Sequence, residues 1–176
     1  CQSELLMKAI SVFENGTPKL TWDSCADIND GNGYSCGAIQ FTTQANGKGS
    51  ANDVVELYKT KPDYKHEFDG ISSTAPNFCE KWKAAASQKG FRESQFEHAK
   101  KAYQEPAMAK AKSCGITAPL AIGQVWDTTI QLGPEAADEL IKKADAKLAA
   151  EGKSNTDQVA WLEAYMDARD EKVKGM

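Results

Sequence analysis

Apolar positions in the first fourteen residues recur at helical spacing, with Leu5, Leu6, Ala9, Ile10 and Phe13 sharing one stripe of QSELLMKAISVFE. That stripe predicts a helix over 2–14 that ends on Glu14, with Asn15-Gly16 as its stop signal. The period then fades. Residues 17–27 are mixed and polar, anchored by Trp22. Asp30-Gly31-Asn32-Gly33 is a strong turn signal, and the run from Tyr34 to Thr42 behind it has strand character, so a small hairpin or sheet is expected there. Gln44 to Ser50 reads as a loop.

Helical spacing dominates the rest of the chain. Helices are expected over 51–59, 77–88, 93–113, 118–132, 134–151 and 156–174, with a long polar connection bracketed by Pro62 and Pro76. Gly90, Gly115, Gly133 and Gly152 stand where helix C-terminal caps belong. Pro134 occupies a first-turn position, where its missing N–H is tolerated, and Thr156-Asp157 precedes the last helix as an N-cap. The expected class is mainly α (α+β), with one small β element near the N-terminus.

Composition narrows the choice of function. At 176 residues, with 41% hydrophobic and 26% charged residues, the chain is long enough for one globular domain or one domain of two small lobes. The net charge is −4, only two arginines occur, and the lysines are scattered singly, so nucleic acid is not an expected partner. No apolar run approaches the roughly 20 residues of a spanning helix. No leader-like segment precedes Cys1, so a signal peptide is expected to have been removed or never present.

Five cysteines, Cys1, Cys25, Cys36, Cys79 and Cys114, are spread singly without a CxxC. His66 and His98 lie far from any cysteine pair in polar stretches and read as exposed, so neither a zinc site nor a Cys–His nucleophile is expected. The spacing fits disulfides in an oxidising compartment, with one cysteine left over. Cys1 is the natural spare, whether lipidated or unmodified; free buried cysteines in a reduced protein are the alternative.

Two acids are candidates for joint chemistry. Glycoside hydrolysis needs a protonated carboxyl to donate to the leaving oxygen and a carboxylate to attack or to activate water. Glu14, after Val12-Phe13 on an amphipathic helix, suits a shielded acid of raised pKa, and Asp30, on a glycine turn, suits a wetter base. The bland reading makes both ordinary surface charges, and spacing alone favours it. Asn15-Gly16-Thr17 also matches a glycosylation sequon, expected to be unmodified if Glu14 works in a cleft. Trp22, Tyr34 and Trp126 are candidates for packing on sugar faces, although core filling is the commoner fate of such rings.

The block ENGTPKLTW…ADINDGNGYSCGAIQFTT resembles the chitosanases of glycoside hydrolase family 46, with further likeness in EPAMAKAKSCGI, VWDTTIQLG and AYMDARDEK in the same order. The resemblance implies a lysozyme-like fold in a single catalytic domain over 1–176, with a small β-containing lobe around 15–75 and a helical lobe mainly over 76–176 that takes in the N-terminal helix. It implies a secreted, inverting endo-hydrolase of β-1,4-linked amino-sugar polysaccharide, chitosan foremost, acting as a monomer without cofactor, metal or membrane span. Other β-1,4 glycans such as peptidoglycan or chitin, and a non-catalytic carbohydrate-binding role, are the alternatives. Anchoring through a lipidated Cys1 is the alternative to secretion.

Carried over position by position, Glu14 matches the general acid, Asp30 the general base, and Ser35 a hydroxyl that helps hold the attacking water. Asp127 and Arg169 match charges that support the acid; without the resemblance they read as ordinary helix-surface charges. Tyr34, Asn32, Ser50 and Asp53 fall among the expected substrate-binding residues. Asn32 stands where well-known members have arginine. Ser50 stands where chitosanases carry an acid for a glucosamine ammonium, with Asp53 nearby as a substitute.

Overall fold

The computed structural model describes residues 8, 19–27, 31, 33–44 and 46–176. Of the helix expected over 2–14, only Lys8 is described, and it is helical. The chain divides into two compact units, Cys1–Lys100 and Lys101–Met176.

The first unit holds a three-stranded antiparallel sheet in the order β1 (Cys25–Asp27), β2 (Tyr34–Cys36), β3 (Phe41–Thr42). The strand-like run from Tyr34 to Thr42 is thus two strands, because Gly37 at φ 74° and Gln40 at φ 57° turn the chain between them. Strand β1 lies in the stretch whose composition reads as merely polar; only Cys25 of its three residues is buried, so it carries no apolar alternation to betray it. Gly31 and Gly33 both have φ near 80°, in keeping with the expected turn.

Helices α1 (Ser50–Lys59), α2 (Phe78–Ala85) and α3 (Lys89–Ala99) complete this unit. Their core is aromatic: Phe41, Tyr58, Phe68, Phe78, Trp82 and Phe91 are each at most 1% exposed. Edge-to-face contacts run through it, as in Tyr58–Phe91 at 5.0 Å and Trp82–Phe91 at 4.8 Å. Phe68 comes from the supposedly polar connection between Pro62 and Pro76, which is therefore pinned to the core.

Gly90 does not cap a helix. It is the second residue of α3, and its N–H donates to Asp63 Oδ2 at 2.8 Å, so close an approach that a Cβ would collide with the Asp63 carboxylate. Gly37 is more constrained still. Its φ of 74° disfavours any side chain, and a Cβ there would strike Gln95 Oε1. That oxygen accepts from Ala38 N–H at 3.3 Å while Gln95 Nε2 donates to the Trp22 carbonyl at 2.9 Å, so displacing the amide costs two hydrogen bonds in a buried place. Gly37→Ala is expected to destabilise by about 2–4 kcal/mol, measured by urea unfolding, with Gly31→Ala, whose Cβ meets none of the described residues, losing only the backbone share of about 1–2 kcal/mol.

From Lys89 to Ser113 the chain stays helical, passing from α3 through a π-helical segment at Lys100–Gln104 into α4 (Glu105–Ser113). Pro106 gives the reason for the wide turn: it has no N–H for the preceding turn and its ring crowds the carbonyl four residues back, and widening relieves both. The second unit continues with α5 (Pro119–Gln131), α6 (Pro134–Ala150) and α7 (Gln158–Lys174). Gly115, Gly133 and Gly152 cap α4, α5 and α6 with φ of 78°, 87° and 67°. Pro134 opens α6, and the Asp157 carboxylate accepts from Ala160 N–H at 3.1 Å as the N-cap of α7. Ile116, Val125, Trp126, Leu140, Trp161 and Tyr165 are fully buried here, with Trp161 stacked on Tyr165 at 5.0 Å. No helix among the described residues is long and apolar enough to cross a membrane.

Candidate active-site residues and family

Strand β2 carries two of the candidate residues. The Tyr34 ring lies nearly parallel to Phe78, centroids 6.2 Å apart, and its backbone N–H donates to Thr43 Oγ1 at 2.9 Å. Ser35, next along, is 4% exposed and sits between Ala26 on β1 and Thr42 on β3. Thr42 then turns its own N–H away from β2 and donates to Ser50 Oγ at 3.3 Å at the start of α1. Ser35, Thr42 and Ser50 thus form one path from the middle of the sheet to a helix N-terminus. Asp53, one turn into α1, is exposed, and its negative charge suits that end of the helix. Glu14, Asp30 and Asn32 lie outside the described residues, as does the Asn15-Gly16-Thr17 sequon.

The second unit contains a buried ion pair. Arg169 Nη2 on α7 donates to Asp127 Oδ2 on α5 at 2.6 Å and to Gln131 Oε1 at 3.1 Å, while Gln131 Nε2 donates to Asp127 Oδ1 at 3.2 Å. The side chains are 6% exposed for Asp127 and 16% for Arg169, so these are not the surface charges that the helical pattern suggests. Burial raises the Asp127 carboxyl above its ordinary value, and Arg169 and Gln131 oppose that shift. Gln131 was legible in principle, since it lies one helical turn beyond Asp127 on the same face. Among the described residues, Arg169 Nε and Trp126 Nε1 are buried without a hydrogen-bond partner.

The aromatic candidates divide. Trp126, 1% exposed, is core and offers no face to a sugar. Trp22 is half-buried, and its carbonyl receives the Trp82 indole N–H at 3.0 Å. His66 is exposed as expected, but His98 is not: it packs edge-on against Phe41 at 5.7 Å and is half-buried. Of the cysteines, Cys25 and Cys79 form a disulfide, but Cys36 and Cys114 are both free thiols, so more than the one expected cysteine is left over; Cys1 lies outside the described residues.

The profile of Glycosyl hydrolase family 46 matches residues 8–176. The chain belongs to glycosyl hydrolase family 46. The family 46 chain is 32% identical to a chitosanase of Bacillus subtilis (strain 168), over 90% of its own length and 62% of that protein's. It is 28% identical to a chitosanase of Streptomyces sp. (strain N174), over 96% of its length and 65% of that one's. It therefore spans less than two thirds of either relative. Among solved structures, a mutant chitosanase from Bacillus subtilis MY002 complexed with 6 GlcN superposes with a TM-score of 0.77 at 30% identity, over 96% of this chain and 76% of that one. A family 46 chitosanase of Gynuella sunshinyii in complex with chitotetraose gives 0.77 at 25% identity, over 97% and 76%. The mainly helical fold with its small sheet is that of the family 46 chitosanase structures.

His98 gives the family 46 chain a pH-dependent stability. Burial lowers its proton affinity, and Asp53 opposes the shift. Below the ordinary imidazole pKa of about 6.5 the unfolded chain takes up a proton that the folded chain still refuses. Stability therefore falls as the pH drops below that value, and the loss levels off once folded His98 also protonates. His98→Gln is expected to flatten the acid limb by up to about 1.4 kcal/mol per pH unit, read from urea midpoints between about pH 5 and 7. Parallel limbs in the two proteins would remove His98 from the account.

Proposed function

We propose that this family 46 chain is a secreted, inverting endo-hydrolase of β-1,4-linked amino-sugar polysaccharide, with chitosan as its foremost substrate. The observation that carries the reading is the family match over residues 8–176, a range that contains Glu14, Asp30, Ser35, Asp127 and Arg169. The chitosanase relatives, and the solved chitosanases complexed with 6 GlcN or chitotetraose, support the substrate class. The disulfide supports export to an oxidising compartment.

In this reading Glu14 protonates the departing glycosidic oxygen while Asp30 takes a proton from a water that attacks the opposite face of the sugar. Ser35 holds that water through its hydroxyl. Asp127 and Arg169 support the acid, and acid and base suffice without a cofactor. Tyr34 and Asn32 line the substrate.

Charge decides the choice of sugar. With Ser50 engaged by Thr42, Asp53 is the exposed carboxylate within one turn, and it is assigned to the ammonium of a glucosamine unit. Asp53→Ala is expected to raise KM for chitosan about 10-fold with kcat nearly unchanged. The experiment for the whole reading is a hydrolysis screen over chitosans of increasing acetylation, chitin and peptidoglycan. Rates should fall as acetylation removes the cations. Faster cleavage of the fully acetylated polymer would assign the chain to a neutral glycan instead, and binding without turnover of any polymer would make it a carbohydrate-binding protein.

A further inference from the structure

Three sulfurs meet beside the sheet of the first unit. Cys25 on β1 is bridged to Cys79, the second residue of α2, and the thiol of Cys36 on β2 lies 2.8 Å from Cys25 Sγ. All three sulfurs lie within 4.8 Å of one another. Cys36 is fully buried, Cys25 is 5% exposed and Cys79 is half-buried, so the cluster reaches water only on the Cys79 side. The proposed hydrolysis makes no use of the third thiol.

Strand register explains how the thiol comes to face the bridge. Cys25 stands directly opposite Cys36 in the β1–β2 ladder. Gly37 N–H donates to the Ser24 carbonyl at 2.7 Å, which makes 24 and 37 a hydrogen-bonded pair. The antiparallel alternation then makes Cys25 and Cys36 a non-hydrogen-bonded pair, the kind whose side chains come closest. A bridge between them needs no change of register.

We propose that Cys25, Cys36 and Cys79 form a thiol–disulfide exchange site with two alternative bridges, Cys25–Cys79 and Cys25–Cys36. In the exchange, the Cys36 thiolate attacks Cys25 Sγ, a Cys25–Cys36 bond forms, and the Cys25–Cys79 bond breaks. Cys79 leaves as a thiolate and takes up the proton that Cys36 gave up. One disulfide and one thiol stand on each side, so no oxidant or reductant is consumed. Burial pushes the Cys36 thiol well above the ordinary range, with Lys83 opposing, which keeps the attacking thiolate scarce and the exchange slow.

The two bridges constrain different parts of the unit. The present one ties the sheet to α2 across a separation of 54 residues, whereas the alternative closes 11 residues within the hairpin. The alternative would free α2 from β1 and close the stretch of sequence between Cys25 and Cys36, which includes Tyr34 and Ser35 of β2. Loop-closure entropy belongs to the unfolded chain, where the longer closure costs more; within the folded unit the balance between the two bridges is set by how the three sulfurs are held against one another. The proposal stands on the sulfur positions and is independent of the substrate.

The test is disulfide mapping of dilute, never-reduced protein held near pH 8.5, acid-quenched, alkylated with N-ethylmaleimide and digested. Wild type is expected to yield a Cys25–Cys36 cross-linked peptide, with alkylated Cys79 in equal amount, and Cys36→Ser to yield neither. A Cys79→Ser variant treated with diamide should acquire the Cys25–Cys36 bridge in most molecules. Recovery from wild type of Cys25–Cys79 alone, with Cys36 as the only member of the cluster alkylated, overturns the proposal. So does a natively folded Cys79→Ser variant, by far-ultraviolet circular dichroism, that keeps both thiols after diamide.

Discussion

Glu14→Gln is expected to lower chitosan hydrolysis by about 10²-fold or more while leaving the fold and KM nearly unchanged. The amide keeps the shape and the hydrogen-bonding reach of the acid but has no proton to give, so the leaving oxygen must depart as a poor alkoxide. Asp30→Asn is expected to lose a similar factor for the complementary reason, because an amide cannot take the proton of an attacking water. The two losses differ in their rescue. A substrate with a leaving group that needs no proton should recover rate in Glu14→Gln, and added azide, a nucleophile that needs no base, should recover it in Asp30→Asn. Wild-type rates in either variant would remove that residue from the reaction.

The second large effect lies in the ion pair of Asp127 and Arg169. Removing one member of a buried pair leaves a charge with no partner, at a cost of about 3–5 kcal/mol. Asp127→Leu is therefore expected to lower stability by about 3 kcal/mol, or ~10 °C in Tm for a chain of this size. Arg169→Met alone should cost a comparable amount, because Asp127 is the more deeply buried partner. Replacing both together, as Asp127→Leu with Arg169→Met, should restore much of the stability, since the desolvation of both charges disappears along with their attraction. Activity should not return in the double variant if the pair supports the general acid. A double variant that is both stable and fully active would reduce the pair to a packing feature. Calorimetry and initial rates on the same four proteins decide the matter.

The helical part of the fold was legible because its punctuation is chemical. Gly115, Gly133 and Gly152 each supply a positive φ that other residues resist, and Pro134 and Asp157 mark helix starts through a missing donor and a capping acceptor. Gly90 misled because its role is close approach to Asp63, a contact 27 residues away that local sequence does not encode. Phe68 escaped notice for a similar reason: a single aromatic in a polar stretch has no period, and only the tertiary core shows its use. Strand β1 is three residues long with two of them exposed, too little for alternation to register.

The candidate site was less legible from residues alone. Asp127 and Arg169 lie 42 positions apart, and nothing in either helix predicts that the two charges meet in a buried place. Resemblance singles them out, and their burial distinguishes them from exposed pairs such as Lys147 on α6 with Asp167 on α7. Trp126 takes the commoner fate of such rings, core filling, which sequence alone does not separate from a sugar platform because a helical tryptophan reads the same in either place. His98 was misjudged because polar neighbours in sequence say little about the aromatic ring it meets from β3. In sequence Cys36 is one of five scattered cysteines, and only the strand register places it against the Cys25–Cys79 bridge.

The central claim, water attack on a glucosamine-type chain by an acid and a base, is tested most directly by the anomeric form of the first product. Proton NMR during the early minutes of chitohexaose cleavage, before mutarotation mixes the anomers, reads it in one experiment. Inversion predicts the α-anomer at the new reducing end, from a β-linked substrate. An initial β-anomer would mean a covalent glycosyl-enzyme and would contradict the assignment of Asp30 as the base that activates water.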